Sequence, residues 1–378
     1  MSTTRVTARP RPRLHRRLPP VIGLLMLSPV CAEYLIGYDS NVGRPLVLLG
    51  GLLVLAPLYG AVALLIRETA RRTGRGWPTI LLLALAFGIV QAGLVDQSLF
   101  NPDYRNIDYW DDMRDPTLIE GIGVSADMGL TFLLGHTVWS FTAPIALVEA
   151  LAPRELARRP WLGWFGTSVV ALLYLAAAYL VFDDHLATED FVASPGQIGG
   201  AATATALLVL VALALPRRRA DGTAASPRGA PAPWLVGGLT LLVALGTSWF
   251  LPPTWPGVAA ELGALAGLGA LIWAWSRREG WSGRHVVLVA GAPLVLNGLT
   301  SFAVQPLGEP VAPLLKYGSN AFFALLVIGL IAWGYARGAR DPHRSGAGRV
   351  LMDGAAPQAS VEGDGRAEAR RRTGESTA

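Results

Sequence analysis

Apolar residues in this chain occur in blocks of roughly twenty, separated by shorter polar or arginine-rich segments. An α-helix rises about 1.5 Å per residue, so a block of this length can cross the roughly 30 Å of a bilayer's hydrocarbon. The pattern therefore predicts an all-α, polytopic transmembrane helix bundle. The ten predicted spans are 18–37, 45–66, 77–97, 128–150, 161–182, 196–215, 234–251, 257–276, 285–304 and 314–336. The proline-rich stretch 251–256 is also compatible with a re-entrant turn between the seventh and eighth spans.

The distribution of positive charge gives these spans a direction. When the N-terminus is placed in the cytoplasm, 28 of the 32 Lys and Arg residues lie in cytoplasmic segments and four lie in outward connections. Cytoplasmic loops of membrane proteins carry such an excess, and a miscounted helix would destroy the alternation. We therefore predict about ten helices with both termini cytoplasmic.

Composition narrows the class further. The chain of 378 residues is 52% hydrophobic and 16% charged, with a mean hydropathy of +0.41. These values exclude a disordered chain and an ordinary cytosolic enzyme, which would be about 25% charged. The net charge of +5 does not indicate a nucleic-acid partner, because the arginines lie between apolar blocks and form no basic face. Cys31 is the only cysteine, so no internal disulfide or multi-cysteine zinc site is expected, and no motif indicates a cofactor or another metal site.

The same pattern predicts how the chain is divided. The first apolar block follows six arginines, but no signal-peptidase site follows it, so we interpret it as a retained transmembrane helix. The predicted parts are an arginine-rich cytoplasmic N-terminus (1–17), a six-helix region (18–215), a cytoplasmic linker (216–233), a four-helix region (234–336) and a disordered cytoplasmic tail (337–378). The expected location is the bacterial cytoplasmic (inner) membrane, with the lipid bilayer as the first partner.

One outward connection, 98–127, is long and acidic. Together with flanking Asp96 and Asp127 it holds eight acids and two arginines. Such a loop could bind a cation or a basic partner, but a solvated loop is the favoured interpretation, in a ratio of roughly three to one. Most tryptophans near the spans fall at helix ends, as is usual at the headgroup level, whereas Trp139 falls inside the fourth span.

Polar side chains within the spans are the best indicators of function, because ionisable groups at depth are costly and usually face a cavity or the bundle interior. Six of them, from six different spans, lie at a depth of roughly 18–24 Å from the cytoplasmic face. This intramembrane polar layer consists of Glu33, Gln91, His136, Glu261, Asn297 and Asn320. The alternative is that they only form hydrogen bonds between helices, which is favoured for the two asparagines. Glu149, beside Arg154, is interpreted as an interfacial ion pair.

Several segments of the first four spans resemble a family of largely uncharacterised bacterial polytopic membrane proteins. The similar segments include 28–35, 65–68, 87–93 and 136–149. Phe132-x-x-x-His136 is also similar to one motif of the CAAX-processing and bacteriocin-immunity glutamic intramembrane proteases. The Glu-Glu-x-x-x-Arg motif of those proteases would fall at 91–96, where Gln91 and Ala92 replace both glutamates. Glutamine is no general base, so the resemblance implies a catalytically silent relative, and no catalytic residue is assigned.

Three functions are compatible with these features. The favoured one is a non-catalytic membrane protein that binds a lipid, a peptide or a protein partner through the polar layer. The second is a proton- or substrate-coupled transporter, with a small-molecule ligand near the midplane. The third, an intramembrane hydrolase that uses Glu33, lacks a complete motif.

Overall fold

The computed structural model describes residues 14–217, 226–307 and 310–339. Within them a helix forms in each of the ten predicted spans. In chain order they are α1 (Leu14–Pro29, continued by Val30–Tyr34), α2 (Pro45–Arg72), α3 (Trp77–Val95), α4 (Ala126–Leu151), α5 (Trp164–Thr188), α6 (Pro195–Ala214), α7 (Pro233–Phe250), α8 (Trp255–Trp275), α9 (Gly283–Thr300) and α10 (Pro313–Ala339). Of the predicted disordered tail (337–378), residues 337–339 instead belong to α10, and the remainder lies outside the described residues.

Eight of these helices, α2–α8 and α10, are long and apolar enough to cross a membrane. The first and ninth helices carry charged and polar residues within their length, Arg16 and Glu33 in one and Arg284 and Asn297 in the other. The two remain predicted spans. Since α7 and α8 are separate helices of 18 and 21 residues, each is long enough to span, and the alternative of a re-entrant turn is not favoured.

The helices form an inner group and an outer group. In α2, α3 and α4 half or more of the apolar window is buried, whereas in α5–α8 it is 17% or less. The inner group is completed by α1, α9 and α10, which pack against α4. Its centre consists of apolar side chains without solvent exposure, including Leu24, Leu64, Ile80 and Ile145. The candidate site must therefore be sought within α1–α4, α9 and α10.

Connections of opposite character lie at the two ends of the bundle. At one end, which we call the arginine-rich side, the Arg72 side chain donates to the carbonyl of Leu162, and Arg75 donates to the carbonyl of Leu215 at 3.1 Å. At the other end, the acidic side, the Asn101 amide donates to Glu189 at 2.8 Å. This separation of charge agrees with the arginine distribution in the sequence.

The acidic loop is folded, although its charges are solvated. It contains a helical turn (Trp110–Arg114) and a short hairpin of β1 (Leu118–Ile119) and β2 (Val124–Ser125). The six acids between residues 103 and 120 are exposed, as expected for a solvated loop, while Asp127 is partly buried. Trp110 is buried, however, and its indole N–H donates to the carbonyl of Asn101 at 3.1 Å. One further small sheet joins β3 (Ser226–Gly229) and β4 (Arg278–Glu279) on the arginine-rich side.

Candidate functional site

Each of the four helices α1–α4 contains one wider, π-helical turn. These turns are Val30–Tyr34, Ala56–Gly60, Gln91–Val95 and His136–Thr142. Their defining bonds join residues five apart, as from the Leu35 N–H to the Val30 carbonyl at 2.9 Å and from the Asp96 N–H to the Gln91 carbonyl at 3.0 Å. Such turns are rare and frequently mark functional sites, because they redirect the side chains they carry. Here they hold Glu33, Gln91 and His136, three of the six polar-layer residues.

Proline and glycine explain two of these turns. Pro29 directly precedes the first turn and Pro57 lies in the second, and proline lacks the N–H that regular α-helical bonding needs. Gly60 ends the second turn against α1, where an added Cβ would lie 2.3 Å from the Leu25 carbonyl oxygen. Only glycine permits this approach, which brings Tyr59 beside α1.

The carboxylate of Glu33 is the centre of the candidate site. One of its oxygens accepts a hydrogen bond from the Tyr59 hydroxyl and the other accepts one from the Tyr38 hydroxyl. The Tyr59 ring also stacks on the His136 imidazole, with 6.0 Å between centroids. His136 Nδ1 lies 3.3 Å from the hydroxyl oxygen of Ser140. Tyr59 therefore joins Glu33 and His136, two residues that the sequence placed at similar depth.

Asp96, which is hydrogen-bonded to Gln91, adds a second carboxylate to this group. The Gln91 side-chain amide donates to Asp96 at 3.1 Å, and the Ser98 hydroxyl donates to the other oxygen of Asp96 at 2.7 Å. Neither Glu33 nor Asp96 forms an ion pair with Arg or Lys in the part of the chain that the structure describes. We call Glu33, Tyr38, Tyr59, Asp96 and His136 the Glu33 group.

The acidic loop supplies a positive charge to this group. Tyr104, Tyr38, Glu33 and Asp96 raise the pKa of the Arg105 guanidinium above its ordinary value, so this arginine lies within electrostatic range of both acids. Arg105 has a positive φ of 57°, an uncommon conformation for a residue with a side chain. Its backbone N–H donates to Glu189 at 3.1 Å. The Glu33 group thus lies on the acidic side, near a loop that carries its own cation.

The two asparagines of the polar layer lie around the end of α1. Asn320 is 1% exposed, and its amide donates to the carbonyl of Ser301 at 2.8 Å. Asn297 is 3% exposed, and its Nδ2 has no hydrogen-bond partner among the described residues. Asn320 therefore fits the interpretation of a hydrogen bond between helices, whereas Asn297 does not.

Glu261 is the polar-layer residue that lies apart from the others. It belongs to α8, whose contacts are with α7 and the first part of α4. No hydrogen bond or ion pair joins it to the other five candidates within the described residues. Although Glu261 has a similar predicted depth in the membrane, it does not belong to the same site.

A charged cluster lies on the arginine-rich side. The sequence predicted only an ion pair at Glu149 and not the cluster. Arg67 has no solvent exposure, and it pairs with Glu68 and Glu149 at 3.0 Å each. Its guanidinium also stacks on the Trp161 ring, 3.3 Å from the centroid. Glu149 pairs in addition with Arg71 at 2.6 Å. The interfacial pair expected for Glu149 is therefore present, with Arg67 and Arg71 as the partners found.

In the part of the chain that the structure describes, ten helices pack together and eight of them are apolar and long enough to cross a bilayer, which defines a multi-pass membrane protein. More specifically, the chain belongs to an uncharacterized membrane protein family, whose model matches residues 23–340. The match includes the whole Glu33 group. No curated protein and no solved structure matches the chain. The comparisons therefore support a membrane protein family and lend no support to kinship with proteases or to a bacterial origin.

The protease-like motif is divided between two places. Phe132 packs its ring against Tyr104 and Trp110 of the acidic loop, at centroid distances of 6.3 and 6.1 Å. His136 instead contacts Tyr59 and Phe141 within the bundle. Gln91, in the place of the motif's glutamate, donates to Asp96 through its amide.

Proposed function

We propose that the protein is a non-catalytic binder that receives part of a lipid, a peptide or a protein partner at the Glu33 group from the acidic side. The observation that carries this proposal is that all members of the group except buried Tyr59 are partly exposed near the acidic loop, while the group is closed on the arginine-rich side. Leu24, Leu64 and Ile145, each fully buried, lie nearer that side on the same helices as Glu33, Tyr59 and His136.

The chemistry of the group supports a ligand that donates hydrogen bonds or carries a positive charge. Glu33 and Asp96 contribute acceptor oxygens from two helices, and their partners within the described spans are neutral hydroxyl and amide groups. The tyrosine rings at Tyr38, Tyr59 and Tyr104 add surfaces that favour cations. An ammonium or guanidinium group could compete with Arg105 for the two acids.

Transport is the second candidate, and one observation favours it. Two carboxylates and an imidazole lie in one electrostatic group within a membrane protein, as Glu33, Asp96 and His136 do. Chains of such residues mark proton pathways in transporters. A transporter must also expose the group to both sides in turn, which the packed residues nearer the arginine-rich side do not favour.

The proposal also includes the orientation of the protein in the membrane and its location. The positive-inside rule supports a cytoplasmic arginine-rich side, so the acidic loop and the opening of the Glu33 group would face outward. We propose the bacterial cytoplasmic membrane as the location, on the resemblance of α1–α4 to bacterial polytopic proteins.

Access to the Glu33 group separates the two candidates. We expect a single cysteine at His136→Cys, in a Cys31→Ser background, to react with a membrane-impermeant thiol reagent from the outward side only. Labelling would be measured in right-side-out and inverted vesicles. Cys31 must be replaced because it is a second thiol, although it is fully buried.

Two further positions calibrate the labelling. Ala84→Cys, in the dry core at 0% exposure, should stay unlabelled from both sides, and Ile122→Cys, in the acidic loop at 54% exposure, should label fully from outside. Labelling at position 136 from both sides would favour transport and overturn the binder. Protection from both sides would leave no aqueous route for a ligand and would overturn both candidates.

A further inference from the structure

A partly open cavity of about 280 Å³ lies between α1, α4, α7 and α9, beside the middle of α4 and near the acidic-side ends of the other three helices. Small-molecule sites typically measure about 300–1,000 Å³, so this cavity suits a small ligand or one segment of a larger one. Its lining consists of Ile36, Trp139, Ser248, Trp249, Leu296, Asn297 and Thr300. Ile36 and Trp139 lie three residues beyond Glu33 and His136, so the cavity adjoins the same π-helical turns.

Two hydrogen-bond donors in the lining have no partner within the described residues. They are the indole N–H of Trp139 and the side-chain amide N–H of Asn297, and both nitrogens are buried. Trp249, by contrast, donates to the hydroxyl of Thr300 at 3.3 Å. A buried donor without a partner costs free energy, so these two groups call for an acceptor. Both are donors, which makes the missing partner an acceptor oxygen.

Because the lining is uncharged, it favours a neutral acceptor. The seven described lining residues are uncharged, so a phosphate oxygen would lie there without a counter-charge. A neutral carbonyl oxygen needs only the two N–H donors. Ile36, Leu296 and the tryptophan rings provide apolar contact for the rest of the ligand.

The position of the cavity identifies the source of this ligand. Trp249 lines the cavity, is 52% exposed, and precedes Phe250, which is 75% exposed, at the end of α7. Both belong to a helix whose apolar window is only 11% buried, so the cavity opens at a surface that faces lipid. Tryptophan at helix ends lies at the headgroup level, which adjoins the ester groups of glycerophospholipids.

We propose that this cavity binds the acyl ester carbonyl of a glycerophospholipid from the adjoining leaflet, with Trp139 and Asn297 as the hydrogen-bond donors. The inference stands on the cavity and its two unpaired donors, and it does not depend on ligand binding at Glu33.

Photolabelling with matched lipids tests this proposal. The full chain is reconstituted in nanodiscs that contain a trace of phosphatidylcholine with a diazirine in its acyl chain near the glycerol. The bulk lipid is either diester phosphatidylcholine or its diether analogue, which lacks the carbonyl groups. We expect diester lipid to displace the trace label from peptides 134–142 and 294–302 more effectively than diether lipid does. Each of the two donors should contribute a factor of roughly five to this preference.

Variants assign this preference to the two donors. Asn297→Leu substitutes an apolar side chain of similar size, and Trp139→Phe keeps a smaller aromatic ring. Each removes one donor, so each should reduce the preference for diester lipid, and the double variant should abolish it. Trp333→Phe, at an exposed tryptophan of α10, should leave the preference unchanged. The unfolding midpoint of each variant in detergent confirms that it is folded.

Three results would overturn the proposal. Equal competition by diester and diether lipid would show that no carbonyl is recognised. An unchanged preference in the double variant would show that other groups recognise it. Absence of label from both peptides would mean that the cavity holds water alone. Loss of outward labelling at position 136 would instead contradict the binder at the Glu33 group and leave this site standing.

Discussion

Replacing Arg67 by methionine is expected to lower the free energy of unfolding by about 3–5 kcal/mol, the usual cost of removing one partner from a buried ion pair. Arg67 lies 3.0 Å from a carboxylate oxygen of Glu68 and 3.0 Å from one of Glu149. It is fully buried, and Glu68 is 1% exposed. Without the guanidinium, Glu68 would lose its closest cation and remain buried.

The guanidinium also holds the connection between α4 and α5. Its Nη2 donates to the carbonyls of Leu156, Ala157 and Arg159 at 3.1–3.3 Å, and its plane stacks on Trp161. Only a planar, multidentate cation satisfies all these partners. Arg67→Lys should therefore recover part of the loss but not all of it.

The measurement is unfolding of the purified protein in mixed micelles with increasing SDS, followed by circular dichroism. Arg16→Met is the matched control, since Arg16 pairs with Glu155 at 2.9 Å while the two side chains are 60% and 44% exposed. Exposed pairs contribute roughly 0–1 kcal/mol. Equal, small effects of Arg67→Met and Arg16→Met would contradict a stabilising role for the buried network.

Most of the fold could be predicted from the sequence, because block length and arginine placement are direct physical requirements of a bilayer. A helix occurs in each of the ten predicted spans. The largest boundary errors are equal and lie at the ends of α2 and α5; α2, for example, was expected to end at 66 and continues to Arg72. The prediction ended where charge began, but the charges of Arg67 and Glu68 are paired, so the helix continues.

The candidate site could be predicted only in part. Depth placed Glu33 and His136 in one layer, and the structure joins them through Tyr59. Tyr59 was not predicted as a site residue: with Gly60 it belongs to the segments that resemble the membrane family, but tyrosine is common at helix ends and in cores. Depth also does not fix where a helix lies within the bundle, and Glu261 belongs to the peripheral helix α8. Trp139 did carry a signal, since a tryptophan within a span is unusual.

Close packing of α1 on α2 leads to the second prediction, in which Gly60→Ala destabilises the fold by roughly 2 kcal/mol or more. A Cβ at Gly60 would lie 2.3 Å from the Leu25 carbonyl oxygen and 2.6 Å from its Cα. Backbone atoms cannot rotate away as a side chain can, so the two helices must separate. This separation moves Tyr59 away from Glu33 and opens the Glu33 group.

Gly50→Ala is the matched control on the same helix. Gly50 is exposed, and nothing lies within 4 Å of its added Cβ. Alanine is the better helix former by about 1 kcal/mol, so this variant should be neutral or more stable. The same Gly→Ala substitution is therefore expected to lower the free energy of unfolding at position 60 and to leave it unchanged or raise it at position 50. SDS-induced unfolding measures both changes. A Gly60→Ala protein as stable as Gly50→Ala would mean that α1 and α2 do not meet at Leu25, and the link from Tyr59 to Glu33 would fail with it.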